Sequence, residues 1–334
     1  MTTYAENVSK RLDQVRASNS LQQVRELGDL RLILLSDLHK GVRDGADDFR
    51  RCEQVYLAAL EHYWQQGYEL WLIGDVEELW ENLPQPVIDA YENVLHREQS
   101  FAEARQPDRY IRFVGNHDLN WYDSRQVMRY LGPFLGGKQV IEGLRVTVTD
   151  RGQELGELFL VHGHQGTLDS DHLSGLSLLV VRYIWRPIQR LLNIPSSTPS
   201  NNFQLKKRHE LAMYSYAAGQ PGTVLIAGHT HHPVWEGLSF QQAMEKTIRA
   251  EGLPSATGKQ WIEEEIGGEI VLPGEKPCYF NTGCCSFGDS TITGIEIEGG
   301  EIRLVRWGDP NNPTRTALFG ADLAQVLRAV APEE

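Results

Sequence analysis

LRLILLSDLH, residues 30–39, opens as a nearly continuous apolar run and closes on a carboxylate and an imidazole two residues apart. A strand buried on both faces reads this way, with functional groups at its C-terminal end. The pattern occurs twice more. YELWLIGDVEELW (68–80) runs into Gly74-Asp75, and RYIRFVGNHDLNW (109–121) runs into Asn116 and His117. Residues 47–66 and 84–104 carry helical periodicity between them, so strands alternate with helices.

Further strands are expected near 139–149, 156–162 and 223–228. HPVWEGLSF, KPCYFNTGC, STITGIEIE and GEIRLVRW then follow as antiparallel strand candidates, with EGGE as a tight turn. Alternating elements followed by strands in succession imply an α/β sandwich with two sheets in its middle. Residues 1–29 read as a helical extension without a strand, 30–310 as the main domain, and 311–334 as a tail ending in a short helix. Residues 172–218 carry no strand signal and read as an inserted helical lid. Arg182, Arg186, Arg190, Lys206, Lys207 and Arg208 lie there against one acid, Glu210, in a chain whose net charge is −13.

That acidic balance argues against nonspecific duplex binding. It leaves room for a phosphate substrate, because bound metal ions can supply local positive charge. No apolar run approaches the roughly 20 residues that span a bilayer, and MTTYAENVSKRLDQVRASNS has no secretory hydrophobic core. The expected location is cytoplasmic, with peripheral contact at the inner membrane surface through the lid. Cys52, Cys278, Cys284 and Cys285 lack metal-site or CxxC spacing and read as reduced structural thiols.

The chemistry gathers where strands end. Asp37, His39, Asp75, Asn116, His117 and His162 are joined by His229 and His231 of GHTHHP (228–233). In open α/β sheets ligands collect beyond the carboxyl ends of strands. Carboxylates mixed with imidazoles suit manganese, iron or zinc. The two carboxylates and five imidazoles exceed one tetrahedral site and match two metals sharing a carboxylate, the arrangement that clamps and hydrolyses phosphate esters.

Asp37-x-His39, Gly74-Asp75, Gly115-Asn116-His117-Asp118, His162 after a strand, and Gly228-His229-Thr230-His231 occur in that order. In this the chain resembles the calcineurin-like metallophosphoesterase superfamily over residues 30 to about 300. The resemblance implies a four-layer αββα sandwich with a helical insertion. It implies one divalent metal on Asp37, His39, Asp75 and His231, and a second on Asp75, Asn116, His162 and His229; the donor types make manganese the expected ion, with iron or zinc as alternatives. His117, oriented by Asp118, would protonate the leaving oxygen or stabilise negative charge while a metal-bridging hydroxide attacks. FLVHGH (159–164), the inserted lid and GHTHHP look most like bacterial UDP-2,3-diacylglucosamine hydrolases. Those enzymes commonly have arginine where His117 stands and aspartate where His164 stands, and residues 240–277 look like an extra insertion, so the substrate does not follow.

The structural alternatives are concrete. His164 and His232 match no ligand position. Glu77, Glu78 and Glu81 read as a solvated acidic helix start, since anions favour helix N-termini. Asn281 either positions substrate or caps a turn. The arginine stripe of the lid either faces solvent or meets an anionic head group, its apolar face meeting acyl chains or the membrane interface. The expected partner is a phosphorylated small molecule or lipid-linked substrate. A nuclease and a non-catalytic scaffold are the competing functions.

Overall fold

The structure, a computed structural model, describes residues 3–104, 109–166, 203–235 and 276–332. Its early strands are β1 (Ser20–Glu26), β2 (Arg31–Leu35), β3 (Glu69–Ile73), β4 (Tyr110–Phe113), β5 (Val140–Ile141), β6 (Gly143–Asp150) and β7 (Gln153–Val161). Then follow β8 (Thr223–Ala227), β9 (Pro233–Val234), β10 (Tyr279–Thr282), β11 (Ile292–Glu298), β12 (Glu301–Gly308) and β13 (Thr314–Asp322). The longer helices are α1 (Tyr4–Gln14), α2 (Phe49–Gln65), α3 (Pro84–Ala90), α4 (Glu92–Glu103), α5 (Phe203–Ala218) and α6 (Leu323–Ala329).

One sheet runs β13-β12-β11-β2-β3-β4-β5, with β2 to β5 parallel and β11 to β13 antiparallel. The other runs β1-β6-β7-β8-β10-β9. In β2, Leu32 and Leu34 enter the core between the sheets, while Ile33 and Leu35 enter a second core against α2 and α4. Alternate side chains of a strand leave on opposite faces, so two apolar environments explain the unbroken run. Each buried Leu or Ile contributes about 1.5–3 kcal/mol. Helices α1 and α5 pack together against the second sheet. The layers are therefore helix, sheet, sheet, helix, the sandwich expected from the sequence. All four cysteines are buried thiols.

Three expectations change, and a fourth falls partly outside the described residues. Residues 20–26 are not helix: β1 pairs in parallel with β6 as an edge strand, and its polar, half-exposed SLQQVRE carries no apolar signal. The helix expected over 84–104 breaks at Tyr91 (φ −123°), which is buried and donates to Asp47 Oδ2 at 2.7 Å. The tail contains β13, held by β12 although most of its side chains are exposed. The strand expected at HPVWEGLSF spans only Pro233–Val234 among the described residues. Arg182, Arg186 and Arg190 lie outside the described residues, as does the insertion expected at 240–277 except for its last two residues; of the segment expected as a lid, α5 is described.

Candidate metal centre

Because β2, β3 and β4 are parallel neighbours, their C-terminal ends share one edge. The chain beyond β2 continues along the chain beyond β3: Asp37 N–H donates to Gly74 O at 3.2 Å and His39 N–H to Asp75 O at 3.0 Å. In the other sheet β7 and β8 are parallel, and Gly228 N–H donates to His162 O at 2.8 Å. His229 N–H, donating to Asp37 Oδ2 at 2.9 Å, joins the two sheets at this edge. Asp37, His39, Asp75, His229 and His231 all adopt left-handed backbone, with φ between 51° and 72°. Such conformations cost about 1–3 kcal/mol each and persist where the surroundings enforce them, often at functional sites.

Asp37, His39 and His231 form one group able to hold a metal ion. His231 Nε2 lies 2.9 Å from His39 Nε2 and 3.2 Å from Asp37 Oδ1. Asp37 Oδ2 accepts from Ser36 and from His229 N–H, whereas Oδ1 is buried and accepts no well-formed hydrogen bond. A buried carboxylate oxygen without a donor is costly, and a cation among these atoms would remove that cost. Burial alone would raise the Asp37 carboxyl; His231 and the other imidazoles hold it well below the usual carboxylate range.

Asp75, His162 and His229 form a second such group. His162 Nδ1 donates to Ile73 O at 2.8 Å, which turns Nε2 toward Asp75 Oδ2 at 3.1 Å and Asn116 Oδ1 at 3.2 Å. Burial opposes charge on His162, yet Asp75 beside it lifts the ring to about 9: the pocket draws positive charge. His229 is pushed well down by burial and by His209 and His162, so it stays a neutral donor. Asp75 Oδ2 also lies 3.7 Å from His39 Nε2, which places Asp75 between the two groups. Two glycines admit this packing. A Cβ on Gly115 would stand 2.8 Å from Asp75 Cγ, and one on Gly228 2.6 Å from Asp37 Oδ2.

His117 joins His39 and Asp75 in a third group. Its orientation differs from the expected one. Asp118 accepts from Val76 N–H at 2.9 Å and Gly115 N–H at 2.6 Å, stapling the two turns, and burial with Asp75 and Glu77 nearby pushes its carboxyl up. The His117 Nδ1 partner is Glu78 Oε2 at 2.6 Å, and Trp80 stacks on the ring with centroids 3.9 Å apart. Glu77 and Glu78 are thus not a solvated helix start. Glu77 is fully buried against Arg112 and Lys40, which overcome burial and hold it at about 2.

Asn281 takes the structural reading rather than the substrate one. It is fully buried, donates to Gly228 O at 2.6 Å and accepts from Gly283 N–H at 2.9 Å, which fixes the histidine-bearing turn. His232 lies outside the cluster, 3.5 Å from Glu210. His164 is buried near His162. His209, which nothing in the sequence singled out, is also buried, facing Gly163 O at 2.6 Å and standing edge-on to His229 at 5.2 Å.

No family model matches the chain, and no curated protein sequence matches it. Among solved structures, a dimetal phosphatase from Danio rerio aligns with 86% of this chain and 98% of its own, at 10% identity and a TM-score of 0.40. A Vps29 variant from Entamoeba histolytica aligns with 87% and 100%, at 13% identity and a TM-score of 0.26. Likeness at that distance decides neither family nor activity. Among the described residues no helix is long and apolar enough to cross a membrane.

Proposed function

We propose that the chain is a metal-dependent phosphoesterase of the calcineurin-like superfamily, cleaving a phosphoester or pyrophosphate bond. One observation carries the reading: Asp75 stands between Asp37, His39 and His231 on one side and His162 and His229 on the other. Asp37, His39, Asp75 and His231 would hold one divalent ion, and Asp75, Asn116, His162 and His229 a second. The donor set suits manganese, with iron or zinc as alternatives. Bound there, the pair supplies Lewis acidity toward a phosphoryl group and the positive charge that an acidic chain otherwise lacks.

The chain's own residues do the rest. The turns carrying the ligands are cross-bonded, so the site keeps its shape without substrate. His117, with Nδ1 engaged, has Nε2 left to hold a proton toward the departing oxygen. The inserted segment and its arginines support a bulky or amphipathic substrate, nucleotide- or lipid-linked, with Arg182, Arg186 and Arg190 meeting its anionic group.

The test is hydrolysis of an aryl phosphomonoester and an aryl phosphodiester, side by side. Each is run with added Mn²⁺ and after chelation, with Asp75→Ala as the blank. Turnover that needs metal and is absent from the variant supports the enzyme. No turnover together with no bound metal leaves the scaffold reading.

A further inference from the structure

We propose that His209 is a positioning residue for the second candidate metal group: it stands between the turns that carry His162 and His229 and fixes both, and Tyr4 of α1 fixes His209 in turn. Resting on the metal-dependent reading above, this role ties the N-terminal helix to the centre. His209 is buried on α5. Its Nε2 lies 2.6 Å from Gly163 O, one residue beyond His162, and its Nδ1 lies 2.8 Å from Tyr4 Oη. A carbonyl oxygen only accepts, so Nε2 carries the proton, Nδ1 presents a lone pair, and the Tyr4 hydroxyl donates to it.

The two turns are packed closely enough for a shift in one to be felt in the other. A Cβ on Gly163, at φ 113°, would meet Ala227 Cβ, Gly228 O and His229 Cβ, each at 3.4 Å. The turn after β7 therefore rests directly on the turn after β8. The His229 ring is flanked edge to face by two others, His162 with centroids 5.3 Å apart and His209 with centroids 5.2 Å apart. Removing the His209 ring would open a gap beside His229 and take the donor from the buried Gly163 carbonyl.

Tyr4 is itself held. Thr3 and Glu6 cap the start of α1 reciprocally, and the Arg208 guanidinium lies over the Tyr4 ring, 4.6 Å from its centroid. The next turn of α1 touches the same loop again. Asn7 Nδ2 donates to Gly166 O at 3.1 Å, and a Cβ on Gly166 would stand 2.6 Å from Val8 Cα. Helix α1 thus grips residues 163–166 at two points, directly at Gly166 and through His209 at Gly163.

The experiment titrates the metal-free chain with Mn²⁺ alone, reading free Mn²⁺ by electron spin resonance, with thermal melts in parallel. His209→Leu should weaken one of two ions about 10–100-fold and leave the other unchanged. Two backgrounds assign that ion. In His231→Ala, where the ion held with His162 remains, His209→Leu should weaken binding by the same factor; in His162→Ala, where the ion held with His39 remains, it should not. His209→Gln, whose amide still donates to Gly163 O, should restore most of the affinity, a rescue that packing alone would not give. Tyr4→Phe, which removes one oxygen and keeps the ring, should weaken the same ion by less, and it carries the test if His209→Leu does not fold. Tyr4→Phe without effect removes Tyr4 from the assignment. Equal weakening of both ions, or weakening of neither with a lowered melting temperature, makes His209 a packing residue and overturns the proposal. A wild-type chain that binds no Mn²⁺ overturns the metal reading beneath it. One that binds two ions and hydrolyses neither aryl ester overturns the hydrolase reading and leaves the His209 assignment supported by affinity.

Discussion

The Nε2 atoms of His39 and His231 face each other at 2.9 Å, and Asp37 Oδ1 stands 3.2 Å from the second of them. Three acceptor-capable atoms aimed at one small volume repel unless a cation or proton lies between them. The same holds on the far side of Asp75, where His162 Nε2 meets both its carboxylate and the Asn116 carbonyl. The turns are thus built around positive charge, which protons on the imidazoles or a bound cation would supply.

Asp75 belongs to the group with His162 and His229 and stands 3.7 Å from His39 of the other, whereas His231 belongs to that other group alone, so their removal should differ in extent. Asp75→Ala is expected to strip metal from the whole centre, and His231→Ala to lower metal content while leaving the group around His162 loaded. Elemental analysis of purified variants reads this directly. Equal metal content in wild type and Asp75→Ala would falsify the bridging assignment.

His117 tests the division between holding metal and moving a proton. Its Nδ1 is taken by Glu78, and its ring is not needed to complete either four-residue ligand set proposed above. His117→Ala should lower kcat by about 10²–10⁴-fold with metal content largely kept. Loss of metal in parallel with activity would move His117 into the ligand set.

How much of this was legible before folding follows from what each residue needs. Asp37, His39, Asp75, Asn116, His162, His229 and His231 each close a strand or the turn after it, so the apolar runs announced them. Parallel pairing of β2, β3 and β4 then brought the first ones to a single edge. Glu78 could not be read the same way. Its partners, His39 and His117, lie 39 residues away on either side, and its contact with them exists only because the turn after β3 folds back beneath His117. Glu77 misled for the same reason, since its neutralising Arg112 comes from β4. Strands β1 and β13 were hidden because edge strands held by a neighbour's hydrogen bonds need no apolar face.

Gly115 separates packing from chemistry. A methyl group there meets Asp75 at van der Waals overlap, whereas a Cβ on Gly45 meets nothing within 4 Å. Gly115→Ala should cost about 1–3 kcal/mol of stability and displace Asp75 enough to lower metal content. Gly45→Ala should do neither. Thermal denaturation and metal analysis of the pair check both statements, and a Gly115→Ala protein with wild-type metal content removes the close-approach argument.

A pH-dependent contribution to stability lies away from the candidate metal centre, where Arg43 grips Glu53 with two bonds, Nη1–Oε2 at 2.7 Å and Nη2–Oε1 at 2.8 Å. Burial pushes the Glu53 carboxyl up, but Arg43 and the Asn93 amide outweigh it and hold the group below its ordinary value. A carboxyl depressed in the folded state contributes stability that is fully present above its unfolded value, about 4.3. That contribution is lost as pH falls through the folded value. Glu53→Gln, neutral throughout, should therefore be less stable than wild type by about 1 kcal/mol at neutral pH, and the gap should close as pH falls below about 4. Denaturant melts of both proteins between neutral and acid pH measure it. A gap that stays constant over that range means the amide loses only packing, and that the ion pair contributes no pH dependence.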